Sequence, residues 1–542
     1  MAEKDGVSTS CRIAGGWVRD KLLGAQSNDM DIALSDMMGF PFAERFVSFV
    51  SEEKNVEVGK ISKVESNPEQ SKHLETAKTK LFGIELEFVN LRSEEYTDDS
   101  RIPTQIKFGT PLEDALRRDI TINALFYNVH SREVEDHTNK GLQDLKDGVV
   151  RTPLPPKETF MDDPLRVIRC IRFASRFGYN MVPELQDAAR DPQIQSAVIS
   201  KISRERVGEE LDKMMKGMSI AILLNDRFVA TDCNIGRDPL RSVHLINDLS
   251  LYDSVFPLPS SVTSIQSKPP SHPSTSLAAA SVLHTLLSTS SLPPLHPLFT
   301  STSTALDSST KARLYFACAL TPFAGITYTD AKGKVHPVVE AAIRECLKLG
   351  TQNHYLDGIP ALFAAADVLR NPVLERFDQP SQRVAIGLVL RDKSVHNPNT
   401  GSHWVTSTLF SLVQELVSLW DPEGDELDVR QAAERIGVYN AFMSRIDELA
   451  LQSAADMKPI LTGRDVVAEL NAKPGPWTGQ ALARVVEWQL DHPQGTKEEC
   501  ATWLRAEHAE GRIEAVDPKA PEQATGKRRE GGGEKNPKKA KR

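Results

Sequence analysis

An α+β protein is predicted, with a small mixed β-sheet in its N-terminal part and an all-helical remainder. Three observations predict it. Between Cys11 and Leu34 the order strand, Gly-Gly turn, helix, loop, strand is legible. Runs with strand-like alternation continue to Leu91. From Thr159 to about Gly217, and again from Lys311 to about Glu510, apolar residues recur at the 3–4 spacing of helices, separated by Gly and Pro.

The first segment, CRIAGGWVRDKLLGAQSNDMDIAL, organises the rest. Strand side chains alternate, so Asp29 and Asp31 share one face while Met30 and Ile32 point into the layer behind. Two neighbouring carboxylates repel, and a divalent cation of Mg²⁺ type relieves the repulsion with hard oxygen ligands. Gly15 and Gly16 let the backbone approach a ligand where the helix beginning near Trp17 offers free N–H groups, a place suited to a triphosphate. A plain turn and a solvated strand end would account for either feature alone; together at this spacing they favour the metal and triphosphate reading.

Next, Pro41–Glu53 reads as a short helix, and Val56–Ile61, His73–Phe82 and Ile84–Leu91 as strands that complete the sheet. Glu85 and Glu87 alternate with Leu86 and Phe88; they are expected on a surface edge, with a third acid beside Asp29 and Asp31 as the other use. Glu94–Pro111 is polar and aperiodic and reads as a mobile loop. A helix then starts at Glu113–Arg118, packed down by Ile120, Ile122, Leu125 and Phe126. Arg117 and Arg118 suit phosphate or ribose oxygens, or else pair with Asp114 or Asp119. Val134–Pro153 is turn-rich and reads as a hinge.

TFMDDPLRVIRCIRFASRFGY reads as one helix with Asp162 near its N-cap and Pro164 in the first turn. Leu165, Ile168 and Ile171 form its buried stripe, and Asp163, Arg166, Arg169 and Arg172 line another face. Ion pairing at i, i+3 is one use of that face. Base reading is the other: a carboxylate accepting from an exocyclic amine and a guanidinium donating to the adjacent ring nitrogen would take cytosine and adenine and refuse uracil and guanine.

Helices continue to Gly217. Pro257–Thr310 shifts to Ser, Thr and Pro and reads as a partly disordered surface insertion, and Lys311–Glu510 as a helical body. The stretch Glu522–Arg542 is charged and apolar-poor, a nuclear-localisation or RNA-gripping arm or a solubilising tail.

A length of 542 residues and 40% hydrophobic content allow several packed units. No apolar run approaches the roughly 20 residues of a membrane span, which excludes a transmembrane class and makes cytoplasm or nucleus the expected compartment. Six scattered cysteines without C-x-x-C argue against zinc and for reduced thiols. Of the net charge of −9, Lys527–Arg542 contributes +6 through eight Lys/Arg against two Glu, which leaves the remainder near −15.

These stretches in order resemble the eukaryotic-type class II CCA-adding tRNA nucleotidyltransferases of the DNA polymerase β-like superfamily. GGWVRDKLLG with DMDIAL is similar to that family's nucleotidyltransferase motif, EDALRRDITINALFYN to its RRD motif and EDHTNKGLQDLKDGVVRTPL to its hinge motif. DDPLRVIRCIRF stands where the family keeps its amino-acid template, SRERVGEELDKM matches the helical motif that follows, and KPGPWTGQALARVVEWQL resembles the tail region.

The resemblance implies a nucleotidyltransferase head over 1–133, a neck over 134–220, a helical body over 221–455, a helical tail over 456–515 and a basic C-terminal stretch over 516–542. It implies CTP, ATP and the acceptor arm of tRNA as ligands, and two Mg²⁺ held by Asp29 and Asp31. Gly15, Gly16 and Arg19 would meet the nucleotide phosphates, Arg117 and Arg118 the ribose and triphosphate, and Asp163, Arg166, Arg169 and Arg172 would select the base. The competing readings are an enzyme adding only CC or only the last A, a poly(A) polymerase, and a tRNA-binding protein with a dead head. Relatives usually carry a helical segment before the first strand and sometimes a mitochondrial presequence; ten residues precede Cys11 here, which leaves mitochondrial targeting open.

Overall fold

The structure is a computed structural model of the chain. It describes residues 9–64, 76–97, 100–216, 222–224, 227–229, 238–288, 292–300, 306–421, 424 and 426–513. Two compact units result, Met1–Val373 with Asp392–Arg445, and Leu374–Arg391 with Ile446–Arg542.

The first unit begins with β1 (Cys11–Ala14), α1 (Gly16–Leu22), β2 (Asp29–Leu34), α2 (Gly39–Lys54), β3 (Ser62–Val64), β4 (Thr76–Leu81) and β5 (Ile84–Asn90). After a ribbon of β6 (Arg92–Thr97) and β7 (Ser100–Phe108) come α3 (Pro111–Leu116), β8 (Phe126–Asn128), β9 (Glu133–Glu135) and α4 (Gly141–Asp147). Seven strands form one sheet in the order β3-β4-β5-β2-β1-β8-β9, with β2 and β5 parallel and the other pairs antiparallel. Alternation divides β2 as expected. Met30 and Ile32 pack with Leu34, Phe42 and Phe88 under α2, and Asp29 and Asp31 occupy the other face.

Several expectations are corrected here. Val56–Ile61 is not a strand: Asn55 closes α2 in a left-handed cap, and the chain meets the sheet through the Gly59 N–H, which donates to the Lys80 carbonyl, and through Ile61, which packs on its core, before β3 begins at Ser62. Glu94–Pro111 is largely the β6–β7 ribbon rather than a loop. Its polar residues hide the pairing, and a free ribbon edge tolerates Pro103. Glu85 and Glu87 are not on an edge, because β5 is flanked by both β4 and β2. The helix through the RRD stretch ends at Leu116; Ile120, Ile122, Leu125 and Phe126 are fully buried in a 3-10 turn and β8.

The stretch TFMDDPLRVIRCIRFASRFGY falls on two helices, α5 (Pro156–Asp162) and α6 (Leu165–Phe177). Pro164 disfavours helical backbone in the residue before it, and Asp163 is extended at φ −139°, ψ 98°. Asp162 therefore ends a helix instead of capping one. Leu165, Ile168 and Ile171 are buried as expected. α7 (Pro183–Arg190), α8 (Pro192–Lys201) and α9 (Arg204–Met215) follow, with α9 packed on α6.

The first unit continues with α10 (Pro239–Asp248), α11 (Tyr252–Val255), α12 (Ser260–Thr263), α13 (Ser274–Leu287), α14 (Ser308–Ala319), α15 (Val338–Ala341) and α16 (Tyr355–Val368). The Ser/Thr/Pro-rich segment is thus not a surface insertion where it is described: α13 buries Ala278, Ala279, Ala280, Val282, Leu283 and Leu286 against α10 and α14. The composition masked the apolar run SLAAASVLHTLL. α17 (Gln382–Leu390) belongs to the second unit, and α18 (Trp404–Leu416) and α19 (Val429–Glu448) follow it in the chain. α20 (Gly463–Glu469), α21 (Trp477–Asp491) and α22 (Lys497–Ala509) enclose a core of Leu461, Val466, Trp477, Val485, Trp488 and Leu504. Among the described residues Cys11, Cys170, Cys318, Cys346 and Cys500 are free thiols, and no helix is long and apolar enough to cross a membrane. Cys233 and Glu522–Arg542 lie outside the described residues.

Candidate active site

A cavity of about 840 Å³ opens on the acidic face of the sheet. It is lined by Gly15, Gly16, Arg19 and Asp31 from the first two strands and α1, by Arg117 and Arg118 after α3, and by Asp163, Arg166, Arg169 and Arg172 at α6. Of the residues expected from the sequence only Asp29 lies outside the lining, exposed at the start of β2. Nine arginines and Lys78 stand against four acids in this wall, which marks an anionic ligand.

The glycine turn is required by its surroundings. Gly15 has φ +69°, its N–H donates to the Leu125 carbonyl at 3.0 Å, and a Cβ there would lie 2.7 Å from Nη1 of Arg118. Arg19 is 3% exposed. Its guanidinium donates to Asp20 and Asn123 and lies over the rings of Phe173 and Phe177, so it faces the cavity from a fixed position.

At the acidic end, β2 and β5 place Asp29 opposite Glu85 and Asp31 opposite Glu87. Lys78 of β4 pairs with Glu85 at 3.0 Å and Glu87 at 2.9 Å. Burial, then Glu87 and Asp29, push the Asp31 carboxyl up to about 6, although Arg118 and Lys78 oppose the shift. Burial raises Asp29 too, with Glu85 and Glu87 adding to it against Lys78. Hydrogen bonding to Glu87 raises the Lys78 ammonium. Among the described residues no three or more His, Cys, Asp and Glu form a ready metal cage. Lys78 claims Glu87, which leaves Asp29 and Asp31 as an undercompensated pair, a donor set that fits a hard divalent cation completing its shell with phosphate oxygens and water.

The arginines are held by partners, some local and already weighed from the sequence, others distant in it. Asp114, 1% exposed, forks to both Arg117 and Arg118, so the pairing weighed for these two falls on Asp114 and not Asp119. Burial alone would raise the Asp114 carboxyl, but the two guanidiniums hold it at about 2. Arg118 also donates to the Asn123 carbonyl at 3.0 Å, and Arg117 pairs with Glu94. Asp163 and Arg166 are not an ion pair. Asp163 accepts from Arg206 at 2.8 Å and from the Leu165 N–H, while Arg166 donates to the carbonyls of Arg117 and Thr159. Arg169 pairs with buried Asp119, and Arg172 with Glu210 of α9 at 2.5 Å. Sequence reasoning missed Lys78, Phe173, Arg176, Arg206 and Glu210. The Arg206–Glu210 spacing within SRERVGEELDKM was the one available signal.

Paired acids on a central strand, a glycine turn opening a helix and an arginine wall define a nucleotidyltransferase head, and the Poly A polymerase head domain model matches residues 11–151. Along most of its length the chain is similar to the mitochondrial CCA tRNA nucleotidyltransferase of Saccharomyces cerevisiae, 38% identical over 91% of this chain and 87% of that protein. A tRNA nucleotidyltransferase of Schizosaccharomyces pombe is 32% identical over 92% and 91%. The chain belongs to the CCA tRNA nucleotidyltransferase family. Its fold is that of a CCA-adding enzyme solved with CTP, at TM-score 0.56, 18% identity and coverage of 93% and 92% of the two chains. The Thermotoga maritima CCA-adding enzyme solved with tRNA gives TM-score 0.53, with the same identity and coverage.

Proposed function

We propose that this chain adds CMP, CMP and AMP, taken from CTP and ATP, to the 3′ end of tRNA and releases pyrophosphate. The observation that carries the reading is one cavity holding both Asp31 of the acid pair and the Asp163/Arg166 pair, in a chain of this family. In it, residues 134–220 serve as the neck that presents the base-reading residues to the head.

Asp29 and Asp31 would hold Mg²⁺, two ions by the family resemblance, with Glu87 beside Asp31. Bound there, the metal supplies Lewis-acid activation of the 3′-hydroxyl and charge neutralisation at the triphosphate. The protein's own groups bind and orient. Arg117 and Arg118, clamped by Asp114, present guanidinium edges to ribose and phosphate, and Gly15 and Gly16 admit the phosphates close to the backbone. Asp163 accepts from the exocyclic amine of cytosine or adenine, Arg166 donates to the ring nitrogen, and Arg169 and Arg172 hold that face rigid through Asp119 and Glu210.

The test is incubation of tRNA lacking CCA with CTP alone and then with ATP, with product lengths read on a sequencing gel. Two added residues followed by a third are expected. Arrest after CC, addition of A only to a CC end, or no addition would assign the partial or dead alternatives instead. Two relatives are named mitochondrial, so we include the mitochondrion beside cytoplasm and nucleus; absence of the tagged protein from purified mitochondria refutes this.

A further inference from the structure

The β4–β5 hairpin carries at its tip a residue that its turn disfavours. Phe82 and Gly83 bridge Leu81 and Ile84, the last pair of the ladder, and both have positive φ, +51° and +82°. Two-residue turns of this kind are normally filled by Asn-Gly or Gly-Gly, because left-handed backbone crowds a Cβ. Phe82 is 79% exposed, so no core contact offsets the strain. Strained backbone over-represented at binding sites and an aromatic ring left in water both point to a ligand.

The hairpin stands at the reactive end of the sheet. β2 and β5 run parallel with Asp29 opposite Glu85, so the tip continues from the edge where Asp29 lies. Lys78 and Lys80 are cross-strand partners of Glu87 and Glu85, and by strand alternation they share the face of the acids. Lys78 is engaged by both glutamates. Lys80 is exposed, and among the described residues its ammonium has no hydrogen-bond or acid partner. A bare aromatic ring with an unclaimed cation two residues away is the combination that grips single-stranded nucleic acid, the ring under a base and the ammonium on a phosphate.

We propose that Phe82 and Lys80 clamp the single-stranded 3′ end of the RNA acceptor, with Phe82 stacked on a base just upstream of the reacting hydroxyl. This rests on the reading of Asp29 and Asp31 as the transfer centre. Stacking is indifferent to base identity, which suits an acceptor whose end changes with every addition.

The test compares full-length wild type with Phe82→Asn and Phe82→Trp on tRNA lacking CCA. Asparagine fits left-handed backbone better than phenylalanine, so Phe82→Asn is expected to keep or raise Tm. Its KM for tRNA should rise at least about fivefold while its KM for CTP stays unchanged. Phe82→Trp should restore the tRNA KM, and its added fluorescence over wild type should be quenched by tRNA ending in CC. An unchanged tRNA KM in Phe82→Asn, or tryptophan emission indifferent to RNA, overturns the clamp. If wild type itself transfers no CMP, the transfer-centre reading fails instead, and the fluorescence arm still decides the clamp.

Discussion

Asp31 sits where a carboxylate is least comfortable, half-withdrawn from water with Glu87 opposite it and Asp29 two residues away. In an unfolded chain an aspartate titrates near 3.9, whereas this carboxyl in the folded protein titrates at about 6. Between those pH values the folded state holds a proton that the unfolded state has lost. Stability of the metal-free protein therefore falls as pH rises from about 4 to about 6, and the whole penalty, on the order of 3 kcal/mol, is present above that window. Asp31→Asn should accordingly stabilise the metal-free protein at pH 7.5 by up to that amount and leave it unaltered near pH 4, measured by denaturant unfolding against wild type. The same substitution should abolish nucleotide transfer, as should Asp29→Ala. Stabilisation that does not grow with pH would remove the electrostatic account, and CMP transfer by either variant would remove the metal-ligand role.

At the scale of elements, α5, α6 and α9 hold the edge formed by Asp163 and Arg166 in place for the proposed base reading. Asp163 lies in the break between α5 and α6, tied to the Leu165 N–H and to Arg206 on α9, with Arg166 one turn on anchored to the Arg117 carbonyl. On the proposed base reading, removing the carboxylate would delete the acceptor for the exocyclic amine and leave the helices' packing intact. Asp163→Ala should lower the preference in kcat/KM for CTP over UTP by roughly tenfold or more, the size of a charged hydrogen bond, while stability falls by no more than about 1 kcal/mol because the Arg206 pair is partly exposed. Undiminished selectivity would refute base reading by this residue. The sequence made this edge legible because Asp163, Arg166, Arg169 and Arg172 are local and periodic. It could not show that Asp119, 50 residues before Arg169, is that arginine's partner. Nor could it show that Glu87 faces Asp31, since that depends on the crossover that returns β5 parallel to β2. Local proline chemistry that splits α5 from α6, and the buried alanines inside a Ser/Thr/Pro-rich stretch, were in the sequence but weaker than the composition around them.

At the scale of the whole molecule, chemistry and the C-terminal core draw on separate residues. Every side chain lining the cavity falls between Gly15 and Arg206, whereas the core of α20, α21 and α22 takes all its members from Leu461 to Ile513. Leu504 is fully buried in that core. Truncation to alanine removes its packing and leaves a void, a loss of about 2–5 kcal/mol. Effects of substitutions with no shared partners add within a few tenths of a kcal/mol, so the cavity should not register the change. Leu504→Ala is therefore expected to raise amide hydrogen exchange throughout 446–513 while the Kd for CTP, measured by calorimetry, stays within about twofold of wild type. A CTP affinity that weakens in step with the exchange would mean that the nucleotide site is built with support from the C-terminal helices, and the assignment of binding to residues 15–206 alone would have to be given up.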